Sequence, residues 1–173
     1  MKIAILGYSG SGKSTLARKL ADFYSIPVLF LDTVQFLPNW VERDKYAGRS
    51  MVSAFMKNAS WVIDGNYSEF LQQERLEQAD SIFLLIFPRT VCLFRAVKRY
   101  FQNKNTNRES MADGCKEKLD WEFIWWILYE GRTRERRAHF RQIAKIHKSK
   151  AQIFKNQRQV DAYLKSILDN LVE

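Results

Sequence analysis

Short apolar runs alternate with amphipathic stretches along most of this chain. Lys2–Leu6 is a mostly apolar run closed by Gly7, the pattern of a buried strand. Thr15–Tyr24 then places Leu16, Leu20 and Phe23 at helical spacing. Val28–Leu31 predicts a second strand finishing at Asp32. Asp44–Asn58 predicts a helix with Ala47, Met51 and Phe55 on one side. Trp61–Ile63 predicts a third strand, closed by Asp64-Gly65, and Ser68–Gln78 reads as a polar helix. The strongest strand signal is Ser81–Phe87, a continuous apolar run stopped by Pro88.

Thr90–Gln102 predicts a helix whose apolar side holds Val91, Leu93, Phe94, Val97, Tyr100 and Phe101. Arg95 and Arg99 fall together opposite them, one turn apart. Asn103–Gly114 is a polar loop, Leu119–Tyr129 an aromatic helix and Arg134–His147 a basic one. Gln152–Phe154 is a short last strand. A final helical stripe follows: Val160, Tyr163, Leu164, Ile167, Leu168 and Leu171. Strands alternating with helices imply an α/β protein with a parallel sheet of about five strands. The stretch Arg89–Lys150 breaks the alternation. It spends about 60 residues on helices and a loop between two strands, long for one crossover, so it should extend beyond the sheet as a lid.

Composition narrows the class. The chain has 173 residues, is 46% hydrophobic and contains only 7 Gly and 3 Pro, values of a globular domain with one core. Cys92 and Cys115 form no CxxC pair and suggest reduced thiols in the cytoplasm. No apolar run approaches the ~20 residues of a membrane span, and the start is too short in apolar residues for a signal peptide.

The net charge of +9 is not spread evenly. Arg89–Lys150 holds 16 Lys+Arg against 7 Asp+Glu, and the remainder is balanced at 12 of each. One segment therefore carries the whole excess and should meet anions.

The chemistry starts at Gly7-Tyr8-Ser9-Gly10-Ser11-Gly12-Lys13-Ser14, which fits G-x-x-x-x-G-K-[S/T], the Walker A pattern. Its glycines let backbone N–H groups converge on phosphate, and the following helix adds its dipole. Gly7, Ser9, Gly10, Ser11, Gly12, Lys13, Ser14 and Thr15 are the expected nucleotide contacts. Lys13 would reach the β- and γ-phosphates and Ser14 would hold Mg²⁺. A strand before and a helix after supply the required context.

Three classes use such a loop. A GTPase needs N-K-x-D, and Asn103-Lys104-Asn105-Thr106 lacks the Asp. Motor and transport ATPases usually carry an Asp-Glu pair after a strand, whereas Asp32 and Asp64 are followed by Thr33 and Gly65. Small kinases remain. That reading assigns Asp32 to orient or deprotonate an acceptor hydroxyl, and Asp64 to a site near Mg²⁺. It assigns Arg95, Arg99, Arg132 and Arg134 to the transferring phosphate, since a guanidinium binds phosphate oxygens bidentately. Trp40 and Tyr67 could stack on an acceptor base, and Asn156, just after the last strand, could border the adenine.

These features resemble adenylate-kinase-like proteins. More narrowly, three strings resemble the bacterial "DNA topology modulation" or FlaR-like family of P-loop kinase homologues. They are Leu31-Asp32 with Pro38-Asn39-Trp40, Trp61–Tyr67 with its Asp64-Gly65-Asn66-Tyr67 end, and Ala79-Asp80 leading into Phe87-Pro88-Arg89. The resemblance implies a P-loop three-layer α/β/α fold with sheet order 2-3-1-4-5. It also implies one domain over 1–173, with an acceptor-binding helical segment at about 33–60 and a lid at about 103–137. Asp32, Trp40, Asp64, Asn66 and Tyr67 would then face the acceptor, and Arg95 and Arg99 match the paired arginines that open the lid. The expected ligands are ATP, Mg²⁺ and a small acceptor, with a nucleoside or nucleotide among the candidates. The alternative is a nucleotide-responsive regulator that binds DNA through the basic 89–150 segment.

Overall fold

The computed structural model describes residues 1–102, 109–112, 114–115 and 119–169. Parts of the expected 103–137 lid, the string Asn103–Thr106 and Leu171 of the last helical stripe lie outside the described residues.

The chain opens with β1 (Lys2–Gly7), which passes through the phosphate loop into α1 (Lys13–Tyr24). Then follow β2 (Val28–Phe30), α2 (Leu31–Gln35), β3 (Phe36–Leu37), β4 (Val41–Glu42) and α3 (Lys45–Phe55). Next come β5 (Trp61–Asp64), α4 (Gln72–Gln78), β6 (Ser81–Leu85) and α5 (Arg89–Gln102). The described chain finishes with α6 (Trp121–Leu128), α7 (Arg134–Ile146), β7 (Ala151–Phe154) and α8 (Gln157–Asp169). The main sheet runs β2-β5-β1-β6-β7 with every neighbour parallel. This is the expected α/β architecture. Its numbering departs from 2-3-1-4-5 only because the small antiparallel pair β3-β4 enters the count.

The sheet sits at the centre of the core. Ile3–Leu6, Trp61–Ile63 and Ile82–Leu85 are buried, as strands covered on both faces must be. Parallel strands of this kind deliver their carboxyl ends to one edge, where ligands bind. Gly7, Phe30, Asp64 and Leu85 all lie at that edge.

Several expectations need adjustment. Strand β2 ends at Phe30, and Leu31–Gln35 turns helical at once, so Asp32 sits in the first turn of α2. Helix α3 buries Gly48 and Val52, while the expected Ala47 and Met51 are exposed. Gly48 packs so closely that a Cβ there would lie 2.7 Å from the Phe70 ring.

Helix α5 departs most. Its buried positions are Cys92 and Ala96, whereas Phe94 and Phe101 are 69% and 71% exposed. Small residues are required on the inner side because the helix backbone meets the phosphate loop. A Cβ on Gly10 would lie 2.4 Å from the Cys92 carbonyl oxygen. Arg95 and Arg99 flank that inner side, half-buried.

Candidate active site at the phosphate loop

The loop leaves β1 at Gly7, whose φ of 147° and closeness to the Leu85 carbonyl (2.4 Å from a built Cβ) exclude any larger residue. Asn66 fastens this exit point. Its Oδ1 accepts from the Gly7 N–H (2.9 Å) and its Nδ2 donates to the Gly7 carbonyl (2.8 Å). Gly12, at φ 96°, starts α1 and turns the loop back on itself. Within the loop, the Lys13 ammonium donates to the Tyr8 carbonyl at 3.2 Å. Thr15 is exposed at the start of α1 and lines the adjacent cleft.

Ser14 and Asp64 meet beside the loop. The Ser14 hydroxyl donates to Asp64 Oδ2 at 2.7 Å. Asp64 is 5% exposed, and its Oδ1 is buried with no hydrogen-bond partner. Burial pushes its carboxyl up to about 6, against the opposing pulls of Lys13 and the Ser14 hydroxyl. A hydroxyl and a carboxylate with an unsatisfied buried oxygen form the oxygen donor set that Mg²⁺ prefers, so these two residues fit that ion.

Asp32 and Tyr67 form the second pair. The Tyr67 hydroxyl donates to Asp32 Oδ1 at 2.7 Å. Burial, then the Asp32 carboxylate, raise the Tyr67 phenol and keep it protonated as a donor. The sequence reading placed Tyr67 as a stacking platform; its ring packs beside Phe70, with centroids 5.5 Å apart, and its hydroxyl holds Asp32.

Arg75 supports this pair from below. It is 0% exposed and donates to the carbonyls of Phe70 (2.8 Å), Gly65 (3.2 Å) and Tyr67 (2.8 Å). Desolvation pulls its guanidinium down to about 10. Gln72 adds a bond from Nε2 to the Asn66 carbonyl (2.7 Å), and its Oε1 meets His139 Nε2 at 2.7 Å. The segment that presents Asn66 and Tyr67 is therefore fixed by two buried side chains of α4.

The basic flank reaches the loop from the other side. Arg95 donates to the Ser11 carbonyl (2.9 Å) and to Gln157 Oε1 (2.8 Å), with its guanidinium over the Phe87 ring. Arg132 donates to the carbonyls of Ile127 (2.9 Å) and Phe87 (2.9 Å) and stacks 3.8 Å from the Tyr8 ring centroid. The Trp126 indole donates to Ser9 Oγ at 3.2 Å, and Arg136 stacks on its outer face. Arg134 is exposed at the first position of α7 and makes none of these loop contacts.

A cleft of about 750 Å³ opens next to the loop. Gly10, Ser11, Gly12, Ser14 and Thr15 line one wall, and Arg95, Arg99 and Gln157 the other. Asn156 lies outside this lining; its side chain accepts from the Gln159 N–H (3.1 Å) and caps α8. Its neighbour Gln157 reaches the cleft. Trp40 adopts a left-handed φ of 64°, stacks edge-on against Phe36, and donates its N–H to Cys115 Sγ at 3.2 Å.

The structure brings Asp64, Arg95 and Arg132 against the expected loop, ties Asp32 to Tyr67 and leaves Arg134 apart; nothing in the sequence pattern pointed to Arg75, Gln72, Gln157 or the Ser9 contact of Trp126. A buried arginine in a polar helix leaves no periodic signal. Trp126 stands about 100° around α6 from Trp125, an offset that separates it from the Trp121–Trp125 stripe.

No family model matches the chain. It is 28% identical over 118 residues to an adenylate kinase of Bartonella tribocorum, covering 66% of this chain and 59% of that protein. It is 32% identical over 116 residues to an adenylate kinase of Bartonella bacilliformis, covering 65% of this chain and 58% of that one. The chain therefore spans less than two thirds of the curated relatives it matches. Among solved structures, shikimate kinase from Bacteroides thetaiotaomicron superposes with a TM-score of 0.54 at 18% identity, covering 100% of this chain and 99% of that chain. Sheet, loop and similarities together describe a P-loop, kinase-like α/β fold.

Proposed function

We propose that this protein is an ATP-dependent phosphotransferase that moves the γ-phosphoryl group to a small acceptor, a nucleoside or nucleotide among the candidates. The observation that carries the reading is the Ser14–Asp64 hydrogen bond beside the Lys13 loop, with its orphaned carboxylate oxygen. A phosphate cradle alone serves binding; a cradle with a buried carboxylate next to the Ser of the motif serves a metal-bound triphosphate.

In this reading the loop N–H groups from Ser9 to Thr15 bind the phosphates, and Lys13 exchanges the Tyr8 carbonyl for β- and γ-oxygens. Ser14 and Asp64 hold Mg²⁺, which supplies positive charge against the phosphate oxygens. Arg95 and Arg99 neutralise charge from the α5 side, with Arg132 and Arg134 as the arginines of the following corner. Gln157, next to Asn156, borders the base. The segment 33–60 carries the acceptor and the segment 103–137 acts as the lid of one domain spanning 1–173. Catalysis is then positioning and charge neutralisation, with water kept out.

The test is a label-transfer assay with ATP labelled at the γ-phosphate, Mg²⁺ and a mixture of small metabolites. Label should pass from ATP to a new organic phosphate with the wild-type chain and stay on ATP with Lys13→Ala. Equal transfer by both proteins would overturn the reading.

A further inference from the structure

The side chains in front of β2 bear on the chemical class of the acceptor. Asp32 has one oxygen occupied, Oδ1, by the Tyr67 hydroxyl at 2.7 Å. Its Oδ2 has no partner among the described residues. The bond from Tyr67 fixes the carboxylate plane and leaves that oxygen as an acceptor. A second carboxylate, Asp64, is near enough for the Asp32 charge to act on it and on the Tyr67 phenol.

Three arginines of this half of the molecule have partners of their own. Arg43 donates through Nε to the Val34 carbonyl (2.8 Å). Arg49 pairs with Glu74 (3.7 Å). Arg75 is spent on three carbonyls. A phosphate monoester brought to Asp32 would set a dianion against two carboxylates, Asp32 and Asp64, and among the described residues Arg43, Arg49 and Arg75 already have carbonyl or carboxylate partners. A hydroxyl meets the opposite situation, an open carboxylate oxygen that accepts its proton.

Resting on the phosphotransferase reading, we infer that the acceptor is an alcohol hydroxyl on an uncharged molecule rather than a phosphate monoester, with Asp32 as its proton acceptor and Tyr67 as the positioning residue. The hydroxyl oxygen forms the new bond to the γ-phosphorus, and the bond from that phosphorus to the β–γ bridging oxygen breaks. ADP leaves with the electron pair, and the hydroxyl proton passes to Asp32 Oδ2 and on to solvent. This separates the chain from the reaction named by its curated relatives, in which a nucleotide phosphate is the acceptor.

The experiment uses the full chain with Mg²⁺ and γ-labelled ATP at a saturating level fixed by calorimetry. One mixture contains nucleosides, hexoses and polyols; the other contains the phosphate monoesters of the same compounds. The neutral alcohols should be labelled and the monoesters not. Asp32→Asn, nearly the same shape and checked by thermal melting, should lower transfer about 100-fold or more while ATP affinity stays within about twofold. Tyr67→Phe should lower kcat about tenfold and leave the acceptor KM within about twofold, a split that simple loss of folding would not give.

Labelling of monoesters as fast as of their alcohols overturns the inference and leaves the phosphotransferase reading standing. Failure to bind ATP overturns that reading, and the inference falls with it. If ATP binds and no compound in either mixture is labelled, water, the hydroxyl present in every tube, decides. Hydrolysis of bound ATP that falls about tenfold or more in Asp32→Asn supports the inference. A hydrolysis rate that the substitution leaves unchanged, zero included, overturns it.

Discussion

The two sides of the phosphate loop are built on different principles. On the β5–α4 side, the residue that clamps the loop's exit is itself held by buried groups. Asn66 clamps Gly7, Gln72 holds the Asn66 carbonyl, and Arg75 holds the carbonyls on either side of it. On the α5–α7 side, the arginines themselves are the contact, and their partners are carbonyls and ring faces. Arg95 sits on the Ser11 carbonyl and Arg132 on Phe87 and Tyr8. A carbonyl held by a half-buried guanidinium can be exchanged for a phosphate oxygen, whereas a fully buried guanidinium on three carbonyls cannot leave. The first side sets the geometry of the loop; the second is free to respond to what occupies it.

The largest expected effect breaks the fixed side. Arg75→Met leaves the carbonyls of Gly65, Tyr67 and Phe70 unpaired, and should destabilise the chain by about 4 kcal/mol in a denaturant titration. A loss below about 1 kcal/mol would mean that water replaces the guanidinium and that this side is not fixed.

Next comes pH. The folded pKa of Asp64 is about 6 against an ordinary 3.8, so the folded state binds this proton more tightly than the unfolded state. Stability therefore falls as pH rises from about 4 to about 6, and the cost of the ionised carboxylate, about 3 kcal/mol, is fully present above that. Asp64→Asn removes it. The variant should be more stable than wild type at pH 8, equal to it at pH 4, and weaker in binding Mg²⁺ with ATP. Thermal melts across pH check the first two outcomes and a titration the third. A stability gain that is the same at both pH values would contradict the assignment.

Smaller effects are expected on the exchangeable side. Arg132→Ala removes two carbonyl contacts and a stacked ring, and should cost about 1–2 kcal/mol in the same titration. Arg134→Ala, at an exposed position, should change stability by less than about 0.5 kcal/mol. If the two arginines cost the same, the distinction between contacts to the loop and solvated charge does not hold.

The sequence and the structure agree where chemistry and burial act together. The strands of the sheet were readable because a strand covered on both faces is a continuous apolar run. The loop was readable because only glycine satisfies Gly7 and Gly12. Helix α5 was read inside out, because counting apolar residues takes Phe94 and Phe101 as core. Its real inner side needs small residues beneath the loop and long cations beside it. The hairpin β3-β4 has two-residue strands, too short for any period to show. Arg75 and Gln72 act through backbone carbonyls, which no side-chain pattern encodes. Tyr67 was singled out for its ring, and its hydroxyl carries the contact to Asp32.

The central claim is that the Gly7–Ser14 loop with Asp64 is a site for a magnesium-bound triphosphate. Its most direct test is calorimetric titration of Mg²⁺·ATP into the wild-type chain and Lys13→Ala at pH 7.5. The account predicts one site per chain and a loss of affinity of about 100-fold or more on removing the ammonium, with unchanged thermal stability of the free protein. Equal affinity in the two proteins, or no binding to the wild type, would contradict it.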